Sequence, residues 1–547
     1  MENQNSWQNE YPRPQMKRDS FINLNGKWQC NGQDIIIPFS PQAKASQFKG
    51  PVTDKLVYVK HFSLATELIN SEQRILLHFG AVDQICEVFL NKYYVGHHAG
   101  GYLPFTFDIS LFAKKENTLT VIVFDRLDKQ YPYGKQSKES HGMWYQEVSG
   151  IWQTVWIESV PQKYIKNIRI TPHEKSVELV VEPKMKYKVI IPMGDDIFEK
   201  VFTTSQAIID LSAYDVHLWS VDDPYLYRFY IEAGEDRIES YFALREISVK
   251  NKNHHSCLML NHEPIFIHAL LDQGYYPDGY FIPLNPQGYR QDIENMKKLG
   301  FNAVRKHVKI EADLYYYYCD CLGMLVIQDM VNSGEYHFIK DTLLPTSGFK
   351  SRKDTGPKYS FRHQFFIQHC IDTIQVLYNH PSIIAYTIFN EGWGQFDSDR
   401  LYQLFKQCDC SRLYDMTSGW FHQKLSDFES VHMYFVNRAL KSGSDKILFL
   451  SECGGFISKV KGHYHTHHAY GYSKGQNKQQ LMKKIERLYQ KTVIPAIKEG
   501  LCGCVYTQLS DIENELNGLY TFDRQVCKVP HTKMLKIKTQ IEQMIKK

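Results

Sequence analysis

Apolar residues recur in short runs through the first part of the chain, and turn-forming residues separate them. The runs include LVYVKHF, RILLHF, ICEVFLN, TLTVIVF and TVWIESV, with Asn25-Gly26 and Gly100-Gly101 among the intervening turns. Regularly spaced short strands with glycine and asparagine between them are typical of a β-sandwich or jelly roll. We therefore predict a jelly-roll domain over residues 1–160.

A second β-rich stretch follows over residues 161–249. It contains the strand-like runs VELVVE, YKVIIP and LYRFYIEA. The length of this stretch suits an immunoglobulin-like β-sandwich.

From there the pattern changes, and strand-like runs alternate with helix-like ones. One predicted helix places Tyr289, Ile293, Met296 and Leu299 on a single face. Counting IFIHAL as the first, eight strand candidates separated by crossovers occupy residues 250–547. The number and the length match a (β/α)₈ barrel, so the predicted fold class is a multidomain chain of jelly roll, immunoglobulin-like sandwich and C-terminal TIM barrel.

Composition and charge exclude several classes of function. The net charge is +4 and the basic residues are scattered, so we expect no nucleic-acid partner. There is no apolar run of membrane-spanning length, and the N-terminus lacks the apolar segment of a secretory signal, so we expect no membrane partner. The 12 cysteines suit a reducing compartment, and the cytoplasm is the predicted location. The aromatic content of 14% fits sugar stacking or large sandwich cores equally well.

The candidate catalytic residues lie at the predicted strand ends, where barrels of this type carry their active sites. Glu391 ends strand four and Glu452 ends strand seven, and glycine follows each. Two carboxylates that face one pocket are the minimum equipment for cleaving a glycosidic bond. The alternative for either glutamate is a buried ion pair with an arginine such as Arg305. The other residues at or just beyond strand ends are Asp272, His307, Asp329, Trp420, Tyr434 and Gln508.

Ordered segments along nearly the whole chain resemble glycoside hydrolase family 2, in particular its β-galactosidase-like subset. They include YPRPQMKRDSFINLNGKW, NKYYVGHHAGGYLPFTFDI, VSGIWQTVWIE, LWSVDDPYLYRF, GFNAVRKHVKIE, FNEGWGQFD, SECGGF and YTQLSDIENELNGLYTFDR. The resemblance implies that the domain over residues 1–160 is sugar-binding-like and that the chain is a retaining, exo-acting β-glycosidase. We expect no cofactor. The resemblance assigns Glu391 as acid/base and Glu452 as nucleophile, with carboxyl groups about 5–5.5 Å apart.

The resemblance also implies roles around this pair. Asn390 matches a residue that binds the sugar 2-hydroxyl, His307 a glycone-pocket histidine, and Tyr434 a tyrosine that supports the nucleophile. A turn-capping asparagine, a core histidine and a core tyrosine are the respective alternatives.

Other residues are predicted to surround the sugar. Trp420, Trp393 and Gln508 are predicted as pocket walls, and His463 is placed near the sugar. Asp272 and Asp329 either bind sugar hydroxyls or pair with the basic residues Arg305 and Lys306. The histidines His463, His465, His467 and His468 lack ligand spacing, so we expect no metal. The long segment 331–358 is predicted to form a wall or lid.

The chain also departs from the family pattern. Trp144 stands where many relatives place an aspartate, and the Asn-x-Lys motif that holds a uronate in β-glucuronidases is absent, which disfavours a uronate. The expected substrate is a small oligosaccharide or glycoside, with β-galactosides first. Alternative glycones are a β-glucuronide, a β-mannoside and an α-L-arabinoside. Alternative functions are a non-catalytic sugar-binding protein and a barrel enzyme of another class, such as an aldolase. A homo-oligomer that completes the binding loops also stays open.

Overall fold

The first part of the chain is a β-sandwich. The computed structural model describes residues 6–69, 72–252, 255–346, 359–421, 423–434, 439–465, 470–471 and 477–546. The first strands are β1 (Phe21–Asn23), β2 (Gly26–Cys30), β3 (Gln33–Ile37), β4 (Lys55–Ser63), β5 (Arg74–Phe79), β6 (Val82–Asp83), β7 (Ile85–Leu90), β8 (Tyr93–Ala99), β9 (Phe105–Asp108), β10 (Glu116–Phe124), β11 (Gln136–Ser137), β12 (Tyr145–Gln146), β13 (Gly150–Ile151) and β14 (Val155–Val160).

Two sheets form this sandwich, in the orders β3-β2-β4-β10-β7-β8 and β1-β14-β5-β9. Along β10 the side chains alternate between core and surface, which puts Leu119, Val121 and Val123 inside. The short strands β11 and β12 pair with each other outside the two sheets. They belong to a loop that extends toward the barrel, described below.

A second sandwich of seven strands follows. They are β15 (Asn167–Pro172), β16 (Ser176–Glu182), β17 (Tyr187–Met193), β18 (Asp196–Phe202), β19 (Gln206–Asp210), β20 (Tyr227–Ala233) and β21 (Asp236–Phe242). The sheet orders are β15-β16-β19 and β18-β17-β20-β21, as in an immunoglobulin-like fold. A small sheet leads into the barrel, made of β22 (Ile247–Lys252), β23 (His255–Leu260) and β24 (Glu263–Pro264).

The last part of the chain is a nearly closed barrel of eight parallel strands in the order β29-β28-β27-β26-β25-β32-β31-β30. The strands are β25 (Ile267–Asp272), β26 (Ala303–Lys306), β27 (Leu325–Asp329), β28 (Ile383–Phe389), β29 (Leu413–Thr417), β30 (Phe428–Met433), β31 (Ile447–Gly454) and β32 (Leu501–Thr507). These eight strands and the two sandwiches confirm the predicted fold class.

Helices pack around the barrel through their apolar faces. The predicted face of Tyr289, Ile293, Met296 and Leu299 is fully buried. The α-helices are α1 (Thr66–Ile69, in the first sandwich), α2 (Gln287–Lys298), α3 (Asp313–Leu322), α4 (Leu344–Thr346), α5 (Phe361–Leu377), α6 (Ser398–Cys408), α7 (Lys478–Leu488), α8 (Ile494–Ile497) and α9 (His531–Ile545). None of the helices within the described ranges is both long and apolar enough to cross a bilayer.

A buried charge cluster fastens the second sandwich to the barrel. Tyr241 donates a hydrogen bond to Asp320 at 2.8 Å, and the Trp219 indole donates to the Asp320 carbonyl, also at 2.8 Å. His380 lies between two carboxylates, 2.6 Å from Asp313 and 2.7 Å from Asp320. Burial opposes a charged imidazole, but these carboxylates raise the pKa of His380 to about 10.

Replacing His380 with glutamine is expected to cost about 3–5 kcal/mol of stability, because it leaves buried carboxylates without their partner. A raised pKa means that this stabilisation is fully present below the ordinary histidine value of ~6.5 and is lost as the pH rises through about 10. The difference in Tm between the native chain and His380→Gln should therefore be larger at pH 6 than at pH 10. His61→Gln, at an exposed position of the first sandwich, is the control. Equal Tm differences at the two pH values would contradict a charged His380.

Candidate active site

Glu391 lies in a tight turn at the C-terminal end of β28, whose residues are all buried. A short 3₁₀ turn over Asn390–Gly392 follows the strand, and Glu391 adopts the left-handed backbone conformation with φ 52°. Non-glycine residues rarely adopt this conformation, and those that do cluster at functional sites. A side chain at the next residue, Gly392, would approach Phe421 to 2.6 Å, so the turn requires glycine there.

Glu452 projects from β31 and is held by a fully buried arginine. The Arg305 guanidinium donates at 3.0 Å to the Glu452 carboxylate and also at 3.0 Å to the Ser451 carbonyl. Glu452 therefore forms the ion pair with Arg305 that was the alternative interpretation. This ion pair is compatible with a catalytic role, because an arginine that orients a carboxylate also keeps it ionised.

The two carboxylates meet in one pocket. An oxygen of Glu391, an oxygen of Glu452 and a ring nitrogen of His432 all lie within 4.8 Å of one another. Both glutamates are buried, with exposures of 8% and 5%. Carboxyl groups this close suit a retaining glycosidase, since an inverting enzyme needs a wider gap of about 6.5–9.5 Å for its water.

His432 joins the two glutamates and was missed by sequence reasoning. Its Nδ1 lies 3.0 Å from Glu391 and 3.6 Å from Glu452. Its Nε2 is buried and has no hydrogen-bond partner within the described part of the chain. The available signal was its place two residues before Tyr434, because alternate residues of a strand point to the same side.

The charges around Glu452 favour its ionised form. Burial alone would raise its pKa, but the neighbouring His432 and Arg305, with smaller contributions from His307 and Lys135, lower the pKa of Glu452 to about 2. At neutral pH this carboxylate is therefore negatively charged and able to act as a nucleophile.

Tyr434 and Asn390 complete the immediate surroundings of the pair. The Tyr434 hydroxyl donates a short hydrogen bond to Glu452. The side-chain oxygen of Asn390 accepts from Arg305 at 2.9 Å and from Ser418 at 3.0 Å. The Asn390 amide NH₂ has no hydrogen-bond partner among the described residues, so it is available to donate to a sugar hydroxyl.

Several predicted pocket residues bind other side chains of the protein. Asp329 pairs with Arg305 at 2.9 Å and with His307 at 2.7 Å, while Asp272 pairs with Lys306 at 2.8 Å. The ion-pair alternative thus holds for both aspartates, which are almost fully buried. Burial and the charge of Lys135 lower the pKa of His307 to about 4 despite Asp329, so this imidazole is neutral at pH 7.

The remaining candidates differ in how close they lie to Glu391 and Glu452. Trp420 lies beside the pair, with its ring 5.4 Å from the His432 ring. Gln508 is buried and donates to Glu515 at 3.2 Å and to Asn517 at 2.8 Å, so its amide NH₂ is occupied within the protein. The His463 ring bonds to Asp523 at 2.7 Å and makes no described contact with the catalytic pair. His467 and His468 lie outside the described residues.

A loop of the first sandwich lies against the segment that follows β27. The backbone N–H groups of Tyr133 and Gly134 donate to the Asn332 carbonyl, which follows β27, at 3.1 and 3.2 Å. Within the same loop, Trp144 packs edge-on against Trp393, with ring centroids 5.3 Å apart. From the segment predicted as a wall or lid, Tyr336 and Phe338 line a cavity beside this loop, and residues 347–358 lie outside the described residues.

Two family models match the chain over much of its length. "Glycosyl hydrolases family 2, sugar binding domain" matches residues 7–161, and "Glycosyl hydrolases family 2, TIM barrel domain" matches residues 251–496. The chain belongs to glycosyl hydrolase family 2. This β-glycosidase family is the one that the sequence resemblance predicted.

Similar family members carry the name β-galactosidase. The β-galactosidase of Thermoanaerobacterium thermosulfurigenes is 31% identical over 292 residues, which cover 47% of this chain and 38% of that protein. The β-galactosidase large subunit of Lactobacillus acidophilus is 23% identical over 409 residues, which cover 69% of this chain and 61% of that protein. The chain thus spans less than two thirds of either relative.

Solved structures of similar shape carry a different name. The β-D-glucuronidase of Dictyoglomus thermophilum has a TM-score of 0.73 at 18% identity and covers 97% of this chain and 98% of its own. A Faecalibacterium prausnitzii β-glucuronidase has a TM-score of 0.72 at 18% identity, covering 98% of this chain and 99% of its own. At such identities the likeness establishes the family 2 fold and leaves the sugar unresolved.

Proposed function

We propose that this chain is a retaining, exo-acting β-glycosidase that releases terminal β-linked sugars, with β-galactosides as the first candidates. The observation that carries the proposal is the approach of Glu391 and Glu452 to within 4.8 Å in one pocket. The β-galactosidase name of aligned relatives supports the choice of glycone.

In the first step, Glu452 attacks the anomeric carbon and forms an ester bond to it. The bond from that carbon to the aglycone oxygen breaks, and Glu391 gives its proton to the departing oxygen. Asn390 is placed to donate to the sugar 2-hydroxyl, a hydrogen bond that strengthens as positive charge develops on the ring.

In the second step, water attacks the same carbon and loses a proton to Glu391. The ester bond breaks, and Glu452 leaves as a carboxylate. Both steps invert the anomeric carbon, so the product keeps the β configuration. Arg305 and Tyr434 support this cycle because their hydrogen bonds favour the charged form of the departing Glu452.

The proposal is tested with nitrophenyl glycosides of β-galactose, β-glucose, β-mannose, β-glucuronic acid and α-L-arabinose. We expect turnover of at least one of them, with the β-galactoside fastest and the first product in the β form by NMR. Sugar binding without turnover across this panel would favour the non-catalytic carbohydrate-binding alternative.

A second candidate substrate is a glycoside with an acidic glycone, and Lys135 favours it. Lys135 comes from the sandwich loop and interacts electrostatically with both Glu452 and His307. Its neighbours Arg126 and Lys138 pair with Asp54, whereas Lys135 makes no ion pair with any described residue. An unpaired ammonium group near the nucleophile is suited to bind a carboxylate on the sugar.

Lys135→Met separates the two candidates. If the glycone is acidic, kcat/KM for the β-glucuronide should fall about 10- to 100-fold, the range expected for a charge-assisted hydrogen bond. The β-galactoside should then lose much less. Lys138→Met, in the same loop but paired with Asp54, is the matched control. An equal loss on both sugars would refute a role for Lys135 in recognising an acid.

A further inference from the structure

An open cavity of about 690 Å³ lies between the loop of the first sandwich and the segment that follows β27. Its lining includes large aromatic side chains from both sides. They are Tyr133 and Trp144 from the sandwich loop, Tyr336 and Phe338 from the barrel segment, and Tyr470 from the segment after β31. The catalytic residues themselves are not part of this lining, so the cavity is distinct from the glycone pocket.

The aromatic rings form a connected cluster that reaches the catalytic turn. Trp144 packs against Trp393 at 5.3 Å and against Tyr336 at 5.4 Å, and it stacks parallel to Tyr133 at 6.4 Å. Trp393 comes two residues after Glu391 and is itself buried. Trp144 and Tyr336 remain partly exposed, so the cluster presents ring surface to the cavity.

The cavity lies near the acid/base, because its lining residue Trp144 contacts Trp393, which directly follows the turn that carries Glu391. After burial, the negative charge of Glu391 raises the pKa of Tyr336. Burial first, and then the negative charges of Glu515 and Glu391, raise the pKa of Tyr470 to about 12. An acid that protonates the leaving oxygen must lie beside the leaving group, so this side of the pocket receives the aglycone.

Each lysine and arginine of the cavity lining has a carboxylate partner within the protein. Lys129 pairs with Glu335 at 2.8 Å, and Asp54 lies 3.6 Å from Arg126 and 3.4 Å from Lys138. Because Asp54 serves two cations, the rim keeps one positive charge in excess. Its recognition surface is mainly the flat faces of rings, which bind other flat apolar faces.

We infer that this cavity is the aglycone subsite and that Trp144 is its stacking platform, which binds an aglycone with a flat face. Such a face is offered both by an aryl group and by the C–H side of a second pyranose. The inference rests on the proposed glycosidase function. It assigns a substrate-binding role to the first sandwich, at the position where the aspartate of many family members is replaced by Trp144.

The test compares leaving groups on the glycone that the native enzyme prefers. The glycosyl fluoride has a leaving group too small to reach the cavity, whereas the nitrophenyl glycoside and the corresponding disaccharide extend into it. For Trp144→Ala we expect kcat/KM to fall about 10- to 100-fold on a substrate with a flat aglycone, and less than about threefold on the fluoride. Trp144→Phe should restore most of the loss. Tyr93→Ala, an exposed tyrosine of the same sandwich, is the control.

The outcomes separate the two proposals. A loss on both the aryl glycoside and the disaccharide supports a shared stacking face, and a loss on one of them identifies the natural class of aglycone. An equal loss on all three substrates, or no loss on the two larger ones, overturns the aglycone assignment while leaving the glycosidase intact. Failure of the native enzyme to hydrolyse even the fluorides of the five sugars would instead overturn the proposed function.

Discussion

Glu452→Gln is expected to lower kcat by a factor on the order of 10⁴ or more, because a neutral amide cannot form the ester bond to the anomeric carbon. The fold should survive, since glutamine has the same shape. Its oxygen can accept from Arg305, and its NH₂ can donate to the Tyr434 hydroxyl, which then acts as the acceptor. The measurement is kcat on the best nitrophenyl glycoside, alongside the Tm of both proteins.

A covalent label can identify the nucleophile directly. A 2-fluoro glycoside of the preferred sugar slows the second step, so the native enzyme should gain one glycosyl mass on the peptide that contains Glu452. Glu429→Gln, at the opposite end of the neighbouring strand β30, is the matched control and should be labelled like the native enzyme. A label on any other residue would remove Glu452 from its assigned role.

Glu391→Ala is expected to lower kcat/KM about 10²- to 10⁴-fold on substrates whose leaving group needs a proton. A dinitrophenyl glycoside departs without protonation, so its first step should be almost unaffected and its second step should become rate-limiting. Added azide needs no general base and fits the space left by the side chain. It should therefore restore turnover and give a β-glycosyl azide, which NMR identifies.

Glu335→Ala provides the control for Glu391, because Glu335 lies nearby but pairs with Lys129 at the exposed rim. It should show neither the dependence on the leaving group nor the azide effect. If Glu391→Ala lost the same activity on nitrophenyl and dinitrophenyl substrates, Glu391 would be a structural residue and the proposed acid/base would be wrong.

The fold could be predicted from sequence because its signals are local. Strand alternation, turn residues and helix faces such as Tyr289, Ile293 and Met296 are set by neighbours along the chain. The two glutamates could be found for a related reason, since a carboxylate that ends a buried strand must have a partner or a function.

The rest of the site depends on contacts between distant segments. Nothing in the local sequence distinguishes an aspartate that binds sugar from one that pairs with a neighbouring strand, and Asp272 and Asp329 do the latter. His432 was overlooked because its role appears only when β30 lies beside β31, which puts it opposite Glu452. Trp144 was noted as a departure, but its contact with Trp393 joins two domains and leaves no trace in either segment.

The hydrogen bonds from Tyr133 and Gly134 to the Asn332 carbonyl bear on how such enzymes diversify. A barrel that borrows part of its substrate cleft from an upstream module cannot be recombined with an arbitrary partner. On the proposed assignment, a change in the upstream module alone would alter substrate choice while leaving the two glutamates of the barrel in place.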